Sequence, residues 1–537
     1  MDSMIYNPLE EYVQKFKGAH LENTNAFFDE LVKQSGIDIE ANRETVRLYD
    51  ECTEGLRKLK RKYNWLRFWR VLMCITILLI PLVILKITPK IKVLRQEIEE
   101  ADKKANELLE KAKEQMASLN CLFSDKDCIV LFEKTVPMTR FDSNFSAKRE
   151  EDMRINYDFS PEGSGEESTL DVMSGEYNEN PFVFENKLIH TMGTETYHGY
   201  KTIHWTETVV DSNGKTRRVS KSETLHATVT KPKPFYSTQV VLNYGAQSGP
   251  ELCFSRDATN LHKKSEQAIE RYVKRGEKRL KRKTDKAIRE NDDFVSMSNT
   301  DFEVLFDALD RTDEVQFRTL FSPLAQTNMT QLILSKEGYG DDFNFFKRCR
   351  MNKIITTHSQ GRMMYVPCEK YFSYSFDIIK ENFTRLNEEF FKAVYFDFAP
   401  LWAIPSYQER PVNSLKPIPD FSRLYAQKEC ESLANRIEKS LVVHPDTKTN
   451  AILKSTFAYS DGRTDTITVN AFSYDIEQRI EIVSVWGGDG RMHNVDVHWD
   501  DYIPLNANNS FAVCEYASAQ NESVLAAKNG LCIFKTN

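Results

Sequence analysis

Asp496, His498 and Asp500 are the residues whose types and spacing best suit chemistry, in the run Asp496-Val497-His498-Trp499-Asp500. On a strand, alternate side chains share a face, so two carboxylates and an imidazole point the same way. Given a further ligand, such a trio holds a divalent metal. The plainer alternative is a polar strand face in solvent, with Val495, Val497 and Trp499 turned to a core. His190, His198, His204 and His226 form a second candidate for a metal or acid–base centre. None of these four is spaced i, i+2 or i, i+4 from another, the intervals that make a ligand pair specific on one element. Cys253, Cys349 and Cys368 lack a neighbouring motif that would activate a thiolate and read as structural. Gly487-Gly488-Asp489-Gly490 lies between two alternating runs and reads as a hairpin turn. The chain has no P-loop, dinucleotide loop, nucleophile elbow, HExxH or paired CxxC. No catalytic residue and no cofactor is assigned, and the reading leans away from an enzyme.

The strongest charge bias lies in Lys263–Arg289, where twelve Lys or Arg stand against Glu266, Glu270, Glu277 and Asp285. At helical spacing Arg271, Lys274, Arg275, Lys278, Arg282, Lys286 and Arg289 fall on one stripe. Ile269, Val273, Leu280 and Ala287 make a thin apolar face opposite, and Gly276 weakens the helix without breaking it. Such a stripe is either the solvated side of a packed helix or a contact for anionic lipid headgroups. Nucleic acid is the weaker partner, because aromatic interleaving is almost absent.

These groups must be positioned by the rest of the chain, which reads as α+β. Residues 1–64 are expected to be helical. Val71–Leu85 is a run of fifteen residues without a charge. It is flanked by Trp65, Trp69, Arg70 and Lys86, and is expected to be a transmembrane anchor over 65–89. Pro81 would bend it. From 90 to 120, Ile91, Leu94, Ile98, Ala101, Ala105, Leu108, Ala112, Gln115 and Leu119 fall on a heptad seam. They predict a stalk, either dimerising as a coiled coil or packing on its own domain. A β-rich region with the basic helix is expected over 121–292, and an α+β domain of mostly antiparallel strands over 293–537. Within these, 141–181 reads as an acidic loop or linker, Asn213-Gly214 as a hairpin turn, and Gln360-Gly361 as a second. Lys231-Pro-Lys-Pro234 interrupts the strand pattern.

A net charge of −7, with 41% hydrophobic and 28% charged residues, excludes wholesale disorder and a generally basic nucleic-acid binder. Nine of ten cysteines lie outside the uncharged run without dense spacing, as expected of reduced thiols, though Cys121 and Cys128 are close enough in sequence to close a small loop.

Phe302, Glu303 and Phe306, then DEVQFRTLFSPL at 313–324 and the expected hairpin at 353–366, resemble a bacterial domain family of unknown function that follows amino-terminal membrane spans. SETLHATVTKPKPFYS at 222–237 is similar to uncharacterised proteins of low-GC Gram-positive bacteria. The resemblance implies a membrane-associated protein of unassigned activity. Members carry two adjacent spans, where this chain shows one. Together these readings point to a single-pass protein of the cell membrane, its sidedness open. It would act as a non-catalytic scaffold or envelope-associated adaptor, with the bilayer, a second copy through the stalk, or an unknown protein as partner. The alternatives are a tethered metal-dependent hydrolase and lipid or nucleic-acid binding through 263–289.

Overall fold

The structure, a computed structural model, describes all residues except 1–3, 76–86, 161–164, 211–214, 291–293, 295, 413–414, 419–421, 519–522 and 537. The chain divides into two compact units. One is Glu10–Pro137 with Tyr365–Tyr395; the other is Met1–Leu9, Met138–Met364 and Phe396–Asn537.

The first unit is helical. Helix α1 (Lys17–Ser35) stops at Gly36, whose φ of +63° gives the left-handed residue that commonly ends a helix. Helices α2 (Ile39–Ile75) and α3 (Thr88–Asn120) follow, and then the short α4 (Asp127–Thr135). Aromatic side chains make the core: Phe28 and Phe123 each pack on Phe383 with ring centroids 5.4 Å apart. His20 is buried among them, between the Thr135 hydroxyl and the Asn387 carbonyl. Burial lowers its pKa to about 4 against the opposing pull of that carbonyl, so the ring is neutral.

The expectation of a single membrane pass is corrected here. No helix among the described residues is long and apolar enough to cross a membrane. Most of the uncharged run, 76–85, lies outside the described residues, as does Lys86. The flanking helices return alongside one another: Asn42 reaches Gln115, Cys52 meets the Ala101 carbonyl, and Lys60 pairs with Asp102 at 3.2 Å. A single pass would hold Lys60 and Asp102 apart across roughly 30 Å of hydrocarbon. The heptad seam is also used within the chain. Ile91, Ala105, Ala112 and Leu119 are buried, and α3 packs along α2.

The second unit holds two antiparallel sheets. Its elements begin with β1 (Thr139–Phe141), α5 (Ala147–Tyr157) and β2 (Glu167–Tyr177), so most of the stretch expected as a linker is ordered helix and strand. Two long strands follow, β3 (Asn180–Val210) and β4 (Thr216–Gly245), then β5 (Cys253–Arg256). Next come α6 (Glu266–Glu290), α7 (Thr300–Phe306), α8 (Glu314–Leu320), α9 (Pro323–Leu334) and the hairpin β6 (Phe343–Arg348)/β7 (Met351–Thr356). Asn299, Asp313 and Ser322 cap α7, α8 and α9 by accepting a backbone N–H at the third position beyond. Helix α10 (Phe376–Trp402) belongs to the first unit as far as Tyr395 and to the second from Phe396. The chain ends with α11 (Gln427–Ala434), β8 (Ile452–Ser460), β9 (Thr464–Trp486), β10 (Met492–Glu515), β11 (Val524–Lys528) and β12 (Leu531–Lys535). The first sheet has the order β1-β2-β3-β4-β7-β6-β5, the second β11-β12-β10-β9-β8.

Two further expectations change. The hairpin turns at Cys349-Arg350 rather than at Gln360-Gly361, with Cys349 at φ +53°. The Lys-Pro-Lys-Pro run does not break β4, which pairs with β3 through Pro232 and Pro234. Residues two apart aim their backbone N–H sites at the same side. On its other side β4 meets β7 only at 242–245, so beside the two prolines that edge is open, the setting in which a strand tolerates proline.

The β3/β4 and β9/β10 ribbons pack face to face through Ile203, Leu225, Ala227 and Val229 against Val495 and Val497. Gly199 permits this approach, because a Cβ there would lie 2.5 Å from the Asp496 carbonyl oxygen. Helix α11 touches strands of both sheets and carries buried charge. Lys428 pairs with Glu185 at 2.5 Å and Glu429 with Lys528 at 2.9 Å, while Lys528 also reaches Asp171 at 2.9 Å. Lys187 supplies Glu185 with a second cation at 3.0 Å.

Burial alone would raise the Glu185 pKa, but Lys428 and Lys187 outweigh it and hold the carboxyl at about 2. With the folded value below the ordinary 4.5, the ion pairs stabilise the fold fully above that pH and lose their contribution as pH falls towards 2. Glu185→Gln is expected to cost roughly 3–5 kcal/mol at pH 7, because it leaves Lys428 buried without its carboxylate. It should also flatten the loss of stability between pH 4.5 and 2, read from urea midpoints across a pH series.

Candidate functional site

Helix α6 is 25 residues long, about 37 Å at 1.5 Å per residue. Its inner face is made by small and apolar residues. Gly276 and Ala287 are buried, and Ile269, Val273 and Leu280 are half-buried. Gly276 is where α7 comes closest: a Cβ there would lie 2.1 Å from Val304 Cγ1. The residue that reads from sequence as a weak point is the contact that docks the helix. Lys283 lies over the Phe294 ring at 3.9 Å, and Arg311 covers the same ring while pairing with Glu303 at 2.7 Å and Glu314 at 3.2 Å.

The outer face is cationic. All seven stripe residues expected from spacing, Arg271, Lys274, Arg275, Lys278, Arg282, Lys286 and Arg289, are exposed. Lys286 approaches Glu290 at 3.6 Å, and Arg289 donates to the Asp285 carbonyl. Arg271, Lys274, Arg275, Lys278 and Arg282 make no ion pair with any described residue. Four like-charged i, i+4 pairs lie along this stripe: 271/275, 274/278, 278/282 and 282/286. Each destabilises a helix by a few tenths of a kcal/mol, together about 1–2 kcal/mol. The stripe therefore opposes the helix that carries it.

Asp496, His498 and Asp500 share one face of β10 as the alternation predicts, with Val495 and Val497 fully buried behind them. Ile482, Ile480 and Gln478 of β9 stand opposite. They do not converge. Alternate residues on a strand lie about 6.8 Å apart, whereas donors on one ion sit within about 4.6 Å of each other. The His, Cys and acidic side chains that do approach within 4.8 Å, among the described residues, are Asp125, Cys368 and Glu369. There Asp125 accepts the Cys368 backbone N–H at 2.8 Å, and burial followed by the Asp125 carboxylate pushes the thiol up to about 11. That arrangement is a capped turn with a protonated thiol.

Cys121 and Cys128 are both free, the first exposed and the second buried. Gly487–Gly490 form the β9/β10 turn, with Gly490 at φ +75° and Asp489 bound to His493 at 3.0 Å. Of the four histidines, His190 packs against Tyr236 and Tyr474, and His204 stands exposed. His198 and His226 are brought into contact across the β3/β4 ribbon.

One cluster has no sequence signal, because its members are scattered from 339 to 397. His358 lies between Asp342, at 2.7 Å from Nδ1, and Asp397, at 3.4 Å from Nε2, with Tyr339 stacked on its ring at 3.7 Å. A histidine between carboxylates suggests acid–base work. However, Asp397 is saturated by Thr356, Ser359 and Arg362, and the His358 side chain is only 5% exposed. The cavity beside Tyr339 and Asp342 is about 10 Å³, no more than one water. The cluster ties the segment after β7 to α10.

Compared with family models, curated proteins and solved structures, the chain has no match. The outer face of α6 is thus the feature whose chemistry the fold leaves unspent. Replacing Gly276 with Ala tests how that face is held. It should destabilise the protein by about 1–3 kcal/mol in urea unfolding through overpacking on Val304, despite alanine's better helix propensity.

Proposed function

We propose that the protein is a non-catalytic binding protein that engages a linear polyanion along the outer face of α6, a phosphodiester backbone being the chemistry that fits. The carrying observation is the set of five exposed cations without an ion pair among the described residues, on a helix whose opposite face is packed. Cations kept at a cost in helix stability are explained by a ligand that neutralises them. The apolar stripe of α6 is taken up by contacts such as Gly276 on Val304, and Ile288 alone is a large apolar side chain exposed on this helix, too little to bury among acyl chains. The cations also lie along a line and not around a cavity, which suits a chain of phosphates better than one small anion. The near absence of aromatic residues on that face favours backbone contacts without base stacking, hence binding indifferent to sequence.

Binding of a random 20-base-pair duplex should weaken with salt, with log K against log [salt] sloping by about −4 to −5 for five neutralised phosphates. A variant with Lys274, Arg275, Lys278 and Arg282 changed to Glu should keep its circular dichroism spectrum and lose at least a hundredfold in affinity. Unchanged affinity in that variant, or binding to anionic phospholipid vesicles but not to the duplex, would overturn the proposal.

A further inference from the structure

His198 and His226 are far apart in sequence, yet the register of the β3/β4 ribbon makes them diagonal neighbours on one face: His198 stands opposite Thr228, and Tyr200 opposite His226. Their rings lie 9° from parallel with centroids 5.1 Å apart, and His198 Nδ1 is 2.8 Å from His226 Nε2. Tyr200 also stacks on His226, with centroids 4.8 Å apart. Both imidazoles are exposed to solvent.

Two nitrogens bound to one transition ion at about 2.0–2.1 Å, at angles between square and tetrahedral, are about 2.8–3.4 Å apart. The separation is close to that range, but both nitrogens lie on the line joining the rings and face each other as in an N–H···N hydrogen bond. Binding an ion therefore breaks that bond and turns the two exposed rings until both lone pairs meet at the metal. We propose that His198 Nδ1 and His226 Nε2 form an open chelate for a borderline divalent transition ion such as Cu²⁺, Ni²⁺ or Zn²⁺, with water at the remaining positions. In the bound state the proton of each neutral ring sits on its other nitrogen, His198 Nε2 and His226 Nδ1.

Three features of the surroundings support this. The same face of the ribbon carries Thr196, Thr202, Thr224, Thr228 and Thr230, which are neutral, so no cation adjoins the pair there to repel a metal. No carboxylate converges on the two rings among the described residues, which selects ions that favour imidazole over the oxygen-seeking Mg²⁺ and Ca²⁺. Behind the pair, Leu225, Ala227 and Val229 are pinned on Val495 and Val497, and Gly199 fits against Asp496, so the register that brings the rings together is locked.

The full chain, freed of metal by a chelator, is titrated with Ni²⁺ alone by calorimetry, beside His198→Gln, His226→Gln and His204→Gln. The chelate predicts one site per chain in the wild type, at least a tenfold loss in each of the first two variants and none in His204→Gln, which lies on the same ribbon. Ni²⁺ should raise the melting temperature of the wild type and of His204→Gln only, and Mg²⁺ should produce no binding heat. Equal Ni²⁺ affinity in the wild type and both chelate variants, or an equal loss in His204→Gln, would overturn it. Because the three variants change exposed side chains, unchanged melting temperatures without metal separate loss of the site from loss of the fold.

Discussion

The buried charge on α11 is the constraint on which the sheet-containing unit depends. Lys428, Glu429 and Glu431 are almost fully buried on a helix of eight residues that lies against strands of both sheets. Each finds its counterpart on another element: Glu185 on β3, Lys528 on β11, and the Thr169 backbone N–H on β2. A buried ion is tolerable only when its partners are in place, so the two sheets can close on α11 only in the register that completes the pairs. Apolar packing of Leu433 and Ala434 beside Ile467, Val469 and Phe511 supplies the driving force but is less selective about register.

That register propagates outward. With β2, β3 and β4 set on one side and β8, β9 and β10 on the other, the two long ribbons leave the body and meet again at a second, smaller apolar cluster. The contact is tight enough for Gly199 to be required opposite Asp496, and Lys231 spans the ribbons to Glu481 while lying over Trp499. The alignment of His198 with His226 follows from pairing decided some distance away. The basic helix is an independent case, since its docking depends on Gly276 and Val304, and its outward charge contributes nothing to the packing.

The contrast between the His358 cluster and the outer face of α6 is electrostatic. At His358 the charges are mutually satisfied and shielded, so the cluster contributes rigidity. On α6 the cations are exposed and repel one another, a state that the proposed polyanion would relieve by neutralisation and counterion release. The same residue types serve opposite ends according to whether the fold supplies their partners.

Much of this was legible in the chain itself. The amphipathic stripe of α6, the alternation of Asp496, His498 and Asp500, the turn at 487–490 and the α+β class follow from periodicity and turn chemistry, which act over a few residues; the turn expected at Asn213-Gly214 lies outside the described residues. What reaches across the chain was not. The run 71–85 with its basic borders reads locally as an anchor, and only the pairing of α2 with α3 shows the flanks returning together. Spacing along one strand made Asp496, His498 and Asp500 look like ligands, although the strand's rise keeps their donors apart. Pairing between strands made neighbours of His198 and His226, which spacing had set aside. Local sequence determines which face a side chain occupies, because backbone geometry repeats every two or 3.6 residues. Which side chains then meet depends on register and burial, and those were decided by the closure of the whole fold around α11.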